Sequence, residues 1–157
     1  MSSRCQVFIN EGLFGVLDNG YIDTETADFS NGNGLVVPMA RGAFVLTGIN
    51  TGYVSVETRV VEGPPDLETD DWEEVIEASV HAPAGDLKVE SLERGPDTQS
   101  VQFLSPSGPA WYRLRVHARG REIHRDGVRM EPVEDYLLIV WPAPPEDAIV
   151  LRTIDPS

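Results

Sequence analysis

Short apolar segments with a period of two residues recur along the chain, and Gly, Pro and Asn turns separate them. The clearest segment is Tyr53–Val61, where Val and Thr alternate with aromatic, polar and charged side chains. Successive side chains of a strand point to opposite faces, so this pattern predicts a strand with one face in a core and the other towards water. No stretch of helical length shows the periodicity of an amphipathic helix. The fold class is therefore predicted to be all-β.

About ten such segments follow one another at a spacing typical of β-sandwiches and barrels. Tyr136–Trp141 is apolar on both faces, which predicts a central strand covered on both sides. A chain of 157 residues fits one domain, so we expect a single antiparallel β-sandwich over residues 1–157. The paired Asn-Gly motifs of Asn31–Gly34 predict a hairpin, and Val101–Leu104 predicts a further strand.

The composition limits the partners of the chain. Its formal charge of −14 argues against nucleic acid and anionic membranes, which both select basic surfaces. The lone Cys5 allows no intramolecular disulfide, and no segment has the length and apolarity of a signal peptide core or a membrane span. We therefore expect a cytoplasmic protein that prefers basic partners.

Glu62–Glu77 is the most one-sided stretch, with eight carboxylates and no basic residue. It lies between two predicted strands, so it is an insert in the β fold. Asp70 and Glu73 have the spacing of a capping box, which predicts at most one short helical turn over 71–74.

Three interpretations of this stretch require no protein partner. A charge run is often a solvated loop that serves solubility. Asp66, Glu68, Asp70 and Glu77 match positions 1, 3, 5 and 12 of a calcium loop, but Asp71 stands where the glycine of an EF-hand is needed. Paired carboxylates also catalyse glycoside hydrolysis, although that chemistry needs two groups held across a cleft.

The fourth interpretation is a protein-binding surface. Trp72 would serve as an aromatic anchor, while the carboxylates steer a basic partner. The alternative for Trp72 is a place in the core. The predicted partner-binding residues are Asp66, Glu68, Asp70, Asp71, Trp72, Glu73, Glu74 and Glu77.

A second charged segment follows at 113–129, which contains six of the chain's twelve basic residues, all of them arginines. The alternation of Tyr112–Val116 predicts a strand with an exposed cationic face, on which His117 also lies. These arginines can pair with the acidic stretch of the same chain, contact nucleic acid, or support self-association. The self-association surface is predicted to use Arg113, Arg115, Arg119 and Arg121.

Motifs for catalysis and cofactors are missing from the sequence. There is no G-x-S-x-G, phosphate-binding glycine loop, H-E-x-x-H or C-x-x-C, and His81, His117 and His124 stand far apart. We expect no enzyme, no cofactor and no metal, unless a site is assembled only in three dimensions.

Three short matches resemble the competence protein J family of bacterial nuclease inhibitors. They are Gln6-Val7-Phe8, Gly20-Tyr21-Ile22-Asp23, and Tyr136–Trp141 followed by Pro142-Ala143-Pro144. The resemblance implies a non-catalytic protein that binds and restrains a nuclease, and it carries over no inhibitory residue.

The sequence therefore predicts a non-catalytic acidic protein-binding module, such as an inhibitor or immunity protein for a basic nuclease or toxin. Two alternatives remain. One is a calcium- or carbohydrate-binding β-sandwich that uses the same loop or Trp111, and the other is a structural component of a larger assembly.

Overall fold

The computed structural model describes residues 2–27, 34–92 and 103–153. These residues form eleven strands and no helix, so the all-β prediction is confirmed. The strands are β1 (Ser2–Ile9), β2 (Leu13–Asp18), β3 (Val36–Pro38), β4 (Ala43–Leu46), β5 (Thr51–Val60), β6 (Glu74–Ala82), β7 (Leu87–Glu90), β8 (Ala110–Arg119), β9 (Val128–Arg129), β10 (Asp135–Pro142) and β11 (Ile149–Arg152).

The large sheet has the strand order β1-β5-β10-β8-β6-β11, with the short β9 also paired to β5. The expectation of a purely antiparallel fold is wrong at two places, because β10 and β9 both run parallel to β5. Alternation along a strand shows which side chains are buried, but it does not show which strand lies next to it. Parallel pairing between segments as distant as β5 and β10 therefore leaves no local signal in the sequence.

The smaller sheet contains four antiparallel strands in the order β3-β4-β2-β7. Its inner face and the inner face of the large sheet contribute to one hydrophobic core. Phe14 of β2 packs edge-on against Tyr136 of β10, with ring centroids 5.5 Å apart. The predicted alternation of β5 is confirmed, since its even-numbered residues from Gly52 to Thr58 are buried and the residues between them are not.

A buried carboxylate joins two loops next to this core. Glu134 is fully buried, and its carboxylate accepts hydrogen bonds from the backbone N–H groups of Gly48 at 2.9 Å and Ile49 at 2.7 Å. It also accepts the Tyr136 hydroxyl at 2.6 Å. Burial, and then the charge of Glu134, raise the pKa of Tyr136 well above its usual value. The turn at 47–50 is thereby fixed against the chain that leads into β10.

The outer face of the large sheet carries a second, smaller apolar cluster. Leu137, Ile139 and Trp141 of β10 are buried there, and Val61, Trp72 and Ala143 pack against them. β10 is therefore covered on both sides, as predicted. The cover over its outer face comes from the chain around 61–72 and from the segment after β10.

The predicted helical turn over 71–74 is not formed. The backbone N–H of Trp72 donates to Thr69 O at 3.0 Å, which closes a tight turn, and β6 begins at Glu74. Glu73 does not complete a capping box, because its carboxylate accepts the backbone N–H of Gly120 at 2.6 Å. A hydrogen bond to a distant segment thus replaces the local one.

Two further predictions fall largely outside the described residues. These are the hairpin at Asn31–Gly34 and the first half of the strand at Val101–Leu104. Within the described part, Phe103 forms an isolated bridge with Lys88. The described residues contain no helix long and apolar enough to cross a membrane.

Candidate functional site

The alternate arginines of β8 are buried, which corrects the prediction of an exposed cationic face. The side chains of Arg113 and Arg115 are 3% and 6% exposed, and His117 is 1% exposed. Glu77, on the neighbouring strand β6, binds both arginines: its carboxylate oxygens lie 3.1 Å from Arg113 Nε and 2.8 Å from Arg115 Nε. Buried charges require partners of this kind, because an unpaired charge in the interior is costly.

Arg113 also binds two backbone carbonyls of the segment between β10 and β11. Its guanidinium donates to Glu146 O at 3.1 Å and to Asp147 O at 2.9 Å. Ser79 supports the same contact, since its hydroxyl accepts from Arg113 at 3.0 Å and from the backbone N–H of Glu146 at 2.9 Å. The outer face of β8 looks solvent-exposed in the sequence only because its cover is remote along the chain.

Arginines also hold the acidic loop, which we define as residues 62–73. Arg115 donates to Pro65 O at 3.1 Å, Arg152 donates to Thr69 O at 2.9 Å, and Arg119 donates to Asp71 O at 3.1 Å. All three contacts use backbone carbonyls of the loop and not its carboxylates. The loop is thereby fixed to the sheet without neutralising its side chains.

The carboxylates of the acidic stretch consequently fall into two groups. The side chains of Asp66, Glu68, Asp70 and Asp71 are exposed, and within the described residues they form no hydrogen bond or ion pair. The other three predicted carboxylates bind inside the chain: Glu73 to Gly120, Glu74 to Arg121 and Glu77 to Arg113 and Arg115.

Glu74, the first residue of β6, forms an ion pair with Arg121. One nitrogen of Arg121 lies 2.8 Å and 2.6 Å from the two carboxylate oxygens, and another donates to Gly34 O at 2.6 Å. The Arg121 side chain is 4% exposed. Of the four arginines proposed for self-association, Arg113, Arg115 and Arg121 are thus buried and paired within the chain, and Arg119 alone is half exposed.

Trp72 lies where the acidic loop meets the sheet. One side of its indole packs on the outer apolar cluster, and its ring centroid lies 5.6 Å from that of His117. The guanidinium carbon of Arg119 lies 4.6 Å from the indole centroid, within the range of a cation–π contact. Trp72 is half-buried, so it combines the two roles that the sequence left open, a contact with the core and a surface position.

Concave surfaces surround Trp72 on several sides. A cleft of about 420 Å³ lies between the loop and the chain around 119–135. Its lining residues are Asp70, Asp71, Trp72, Glu73, Arg119, Gly120, Glu122, Ile123, Val133, Asp135 and Arg152. A second cleft, of about 410 Å³, follows the loop itself from Leu67 to Trp72. We call the first the Trp72 cleft.

An ion pair at the edge of this cleft holds Arg119 in place. Arg119 Nε lies 3.0 Å from a carboxylate oxygen of Asp135, and the two side chains are 43% and 44% exposed. No sequence pattern marks Asp135, Glu122, Val133 or Arg152 as part of this site. The strand pairing that sets Asp135 opposite Arg119 carries no local signal, so these residues could not be found from sequence patterns.

His117 lies beneath Trp72 in a nearly dry environment. Burial lowers the pKa of His117, and the positive charges of Arg115 and Arg59 lower it further, whereas the Leu137 carbonyl and Glu68 raise it. Its Nδ1 lies 3.0 Å from Leu137 O, and a carbonyl only accepts, so Nδ1 carries the proton. The imidazole is therefore a neutral packing group at pH 7.

Other candidate sites from the sequence lie elsewhere. Among residues 2–27, 34–92 and 103–153, no group of three or more His, Cys, Asp or Glu side chains is placed to hold a metal ion. Glu77, position 12 of the proposed calcium loop, is occupied by two arginines. Trp111 is 38% exposed and stacks on His81 with ring centroids 4.5 Å apart. Neither residue lines the Trp72 cleft, so the alternative carbohydrate platform is separate from it.

Comparisons with known proteins support a shared fold and nothing finer. No protein-family model matches the chain, and no curated protein does. A solved structure described as Crocagin biosynthetic gene J matches with a TM-score of 0.57 and 13% sequence identity, over 92% of this chain and 98% of that one. At this identity the likeness concerns the fold alone.

The resemblance to the competence protein J family is therefore wrong. The structural match is to a different protein, and no family model supports the resemblance. Its three segments are part of an edge strand, a turn after β2, and a central strand followed by prolines. Such features recur in unrelated β proteins, so their short sequences identify no family. By its fold, this chain is similar to the Crocagin biosynthetic gene J protein.

Proposed function

We propose that this chain is a non-catalytic binding protein that captures a basic protein partner on the acidic loop and the Trp72 cleft. The observation that carries the proposal is the way the loop is held. Three arginines bind its backbone carbonyls, while the carboxylates of Asp66, Glu68, Asp70 and Asp71 are exposed and form no hydrogen bond or ion pair with the described residues. A solvated loop needs no such fixation.

The fixed loop suits a binding role for energetic reasons. Ordering a flexible segment on binding costs free energy, and a segment that is already held avoids most of that cost. Unpaired carboxylates at fixed positions attract a basic surface over distances of about 10 Å at moderate salt and accelerate its encounter. Trp72 at the cleft supplies the aromatic contact area common at the centre of protein interfaces.

The class of partner follows from charge. A net charge of −14 favours a basic protein and disfavours nucleic acid and anionic membranes. A nuclease or toxin with a cationic substrate groove is one such partner, and occupation of that groove by the acidic loop would make this chain an inhibitor or immunity protein. This part of the proposal rests on chemical complementarity alone.

The proposal includes a unit that folds as one β-sandwich domain over residues 1–157 and acts in the cytoplasm. The hydrophobic core to which both sheets contribute supports the sandwich. The lone cysteine supports a reducing compartment.

A charge-neutralising variant tests the proposal. Asp66→Asn, Glu68→Gln, Asp70→Asn and Asp71→Asn are combined, and binding of a fluorescent peptide of alternating arginine and glycine is measured by polarisation at several salt concentrations. We expect about tenfold weaker binding at low salt and a smaller dependence on salt.

The matched control neutralises four exposed carboxylates outside the loop, in the combination Glu11→Gln, Glu25→Gln, Asp126→Asn and Glu131→Gln. It removes the same charge, so we expect a change of no more than about threefold from net charge alone. Equal losses in the two variants would show that net charge, and not the loop, attracts the peptide, and the proposal would fail.

A further inference from the structure

We infer that Arg119 is an internal stand-in for an arginine of the partner, and that binding displaces the Arg119 side chain from Trp72 and Asp135. The inference rests on the proposed function and names the chemistry that the Trp72 cleft recognises. It follows from the three groups that surround the Arg119 guanidinium.

These groups form a complete receptor for one guanidinium. The indole of Trp72 offers a face, with the guanidinium carbon 4.6 Å from the ring centroid. Asp135 offers a carboxylate 3.0 Å from Nε, and Asp71 offers a backbone carbonyl 3.1 Å from a terminal nitrogen. A planar guanidinium uses all three at once, by stacking and by several directed N–H donors. A lysine ammonium lacks the planar face and the fork of donors.

Arg119 differs from the other arginines of β8 in how firmly it is held. Arg113 and Arg115 share a carboxylate in a site that is almost closed to water. Arg119 and Asp135 are both more than two-fifths exposed, and ion pairs in such positions contribute little stability. Of the three arginines that hold the acidic loop, Arg119 is therefore the one that is easily exchanged, while Arg115 and Arg152 keep the loop in place.

The surroundings provide room and charge for the exchange. The Trp72 cleft has about 420 Å³ next to Arg119, many times the share of one water molecule. Asp70 lines the same cleft, and its exposed carboxylate can receive the displaced guanidinium. Arg119 follows the buried part of β8, so its side chain can turn aside while its backbone stays in the sheet.

This arrangement makes Arg119 a built-in competitor. When a side chain of the protein occupies a site most of the time, the apparent affinity for an external ligand is the intrinsic affinity multiplied by the fraction of time that the site is open. Removal of the Arg119 side chain should therefore increase the affinity for arginine and leave the affinity for lysine subject to charge alone.

Arg119→Met is the test variant, because methionine keeps an apolar stem and removes the guanidinium. The probes are N-acetyl-arginine amide and N-acetyl-lysine amide, titrated by NMR of the Trp72 indole N–H, which Trp72→Phe assigns. Arg152→Met is the matched control: Arg152 lines the same cleft and carries the same charge, but it binds Thr69 O, whereas the guanidinium stacked on Trp72 is that of Arg119.

We expect Arg119→Met to bind the arginine probe at least about tenfold more tightly than the unchanged protein, and Arg152→Met to gain no more than about threefold. The affinity for the lysine probe should increase equally in both variants. Adding Asp135→Asn to Arg119→Met should abolish the gain for arginine.

Three results would overturn the inference: equal gains for arginine in the two single variants, a gain that survives Asp135→Asn, or a Trp72 indole signal that shifts to a solvent-exposed position in ligand-free Arg119→Met. The last would show that Arg115 and Arg152 cannot hold the loop and Trp72 in place without Arg119. In each case, peptide binding that still depends on the loop carboxylates would leave the proposed function intact.

Discussion

The two ends of one acidic stretch have opposite environments. Glu74 and Glu77 lie in β6, their side chains are each 13% exposed, and both bind buried arginines. Asp66, Glu68 and Asp70 precede them by only a few residues, yet they are exposed and unpaired within the described chain. Residues of the same chemical type therefore serve the fold at one end and remain available at the other.

Strand register explains the difference. β6 pairs with β8 so that Glu77 lies opposite Arg115, and one carboxylate then reaches two guanidinium groups. In the acidic loop there is no such register, and the arginines that reach it bind carbonyls instead. A run of carboxylates is thus not one functional unit, and its parts must be tested separately.

Glu77→Gln should produce the largest effect. Glutamine keeps the shape of the side chain but leaves Arg113 and Arg115 as buried charges without a counter-ion, which typically costs about 3–5 kcal/mol of unfolding free energy. Urea unfolding followed by circular dichroism measures the change. Glu62→Gln, at the exposed end of the same stretch, is the control and should change the free energy by less than about 0.5 kcal/mol. Equal effects of the two substitutions would contradict the division of the stretch.

Trp72→Ala should have the second-largest effect, a decrease of about 2 kcal/mol in the free energy of unfolding. The indole packs on Leu137, Ile139 and Trp141, but it is only half-buried, so the loss is smaller than for a fully buried aromatic side chain. Hydrogen exchange of the backbone N–H groups at 66–73 should also accelerate, because the loop loses its apolar contact. Trp111→Ala, which removes an exposed tryptophan stacked on His81, is the control and should cost clearly less. A larger loss at Trp111 would show that the outer cluster contributes little.

Much of the fold, but little of the candidate site, could be predicted from the sequence. The alternation of β5 and the apolar run of β10 gave their burial correctly, because burial depends on local pattern. The arginines of β8 were misplaced on the surface, because their cover comes from residues far along the chain, such as Pro65 and Glu146. The loop and Trp72 were found from composition, whereas Asp135 depends on the pairing of β8 with β10.

The next prediction concerns pH and the layer under Trp72. Since burial lowers the pKa of His117, the folded protein resists its protonation, while the unfolded chain takes up a proton near pH 6.5. The contribution of His117 to the free energy of unfolding is therefore fully present above pH 6.5. It decreases as the pH falls towards the lowered pKa, by at most about 1.4 kcal/mol per pH unit. The charges of Arg115 and Arg59 lower the pKa of His117 further, and that of Glu68 raises it.

His117→Asn removes the titration and retains a donor for Leu137 O. Unfolding free energies between pH 7.5 and 5 should decrease less steeply in this variant than in the unchanged protein. His81→Asn, at the stacked pair with Trp111, is the control for replacing a histidine elsewhere in the sheet. Burial raises the pKa of Glu90, which opposes the trend equally in all three proteins, so the difference between them isolates His117. Identical slopes would show that His117 is not held neutral.

Neutralising the loop should have the smallest effect on stability. The combination Asp66→Asn, Glu68→Gln, Asp70→Asn and Asp71→Asn removes no side-chain hydrogen bond or ion pair of the described chain, so the unfolding free energy should stay within about 0.5 kcal/mol. A slight increase is expected at low salt, because a chain with a charge of −14 repels itself and loses four negative charges. Thermal unfolding at two salt concentrations measures both effects. A loss above about 1.5 kcal/mol would mean that the loop carboxylates support the fold as Glu77 does, and then weaker peptide binding in this variant could no longer be assigned to a binding surface.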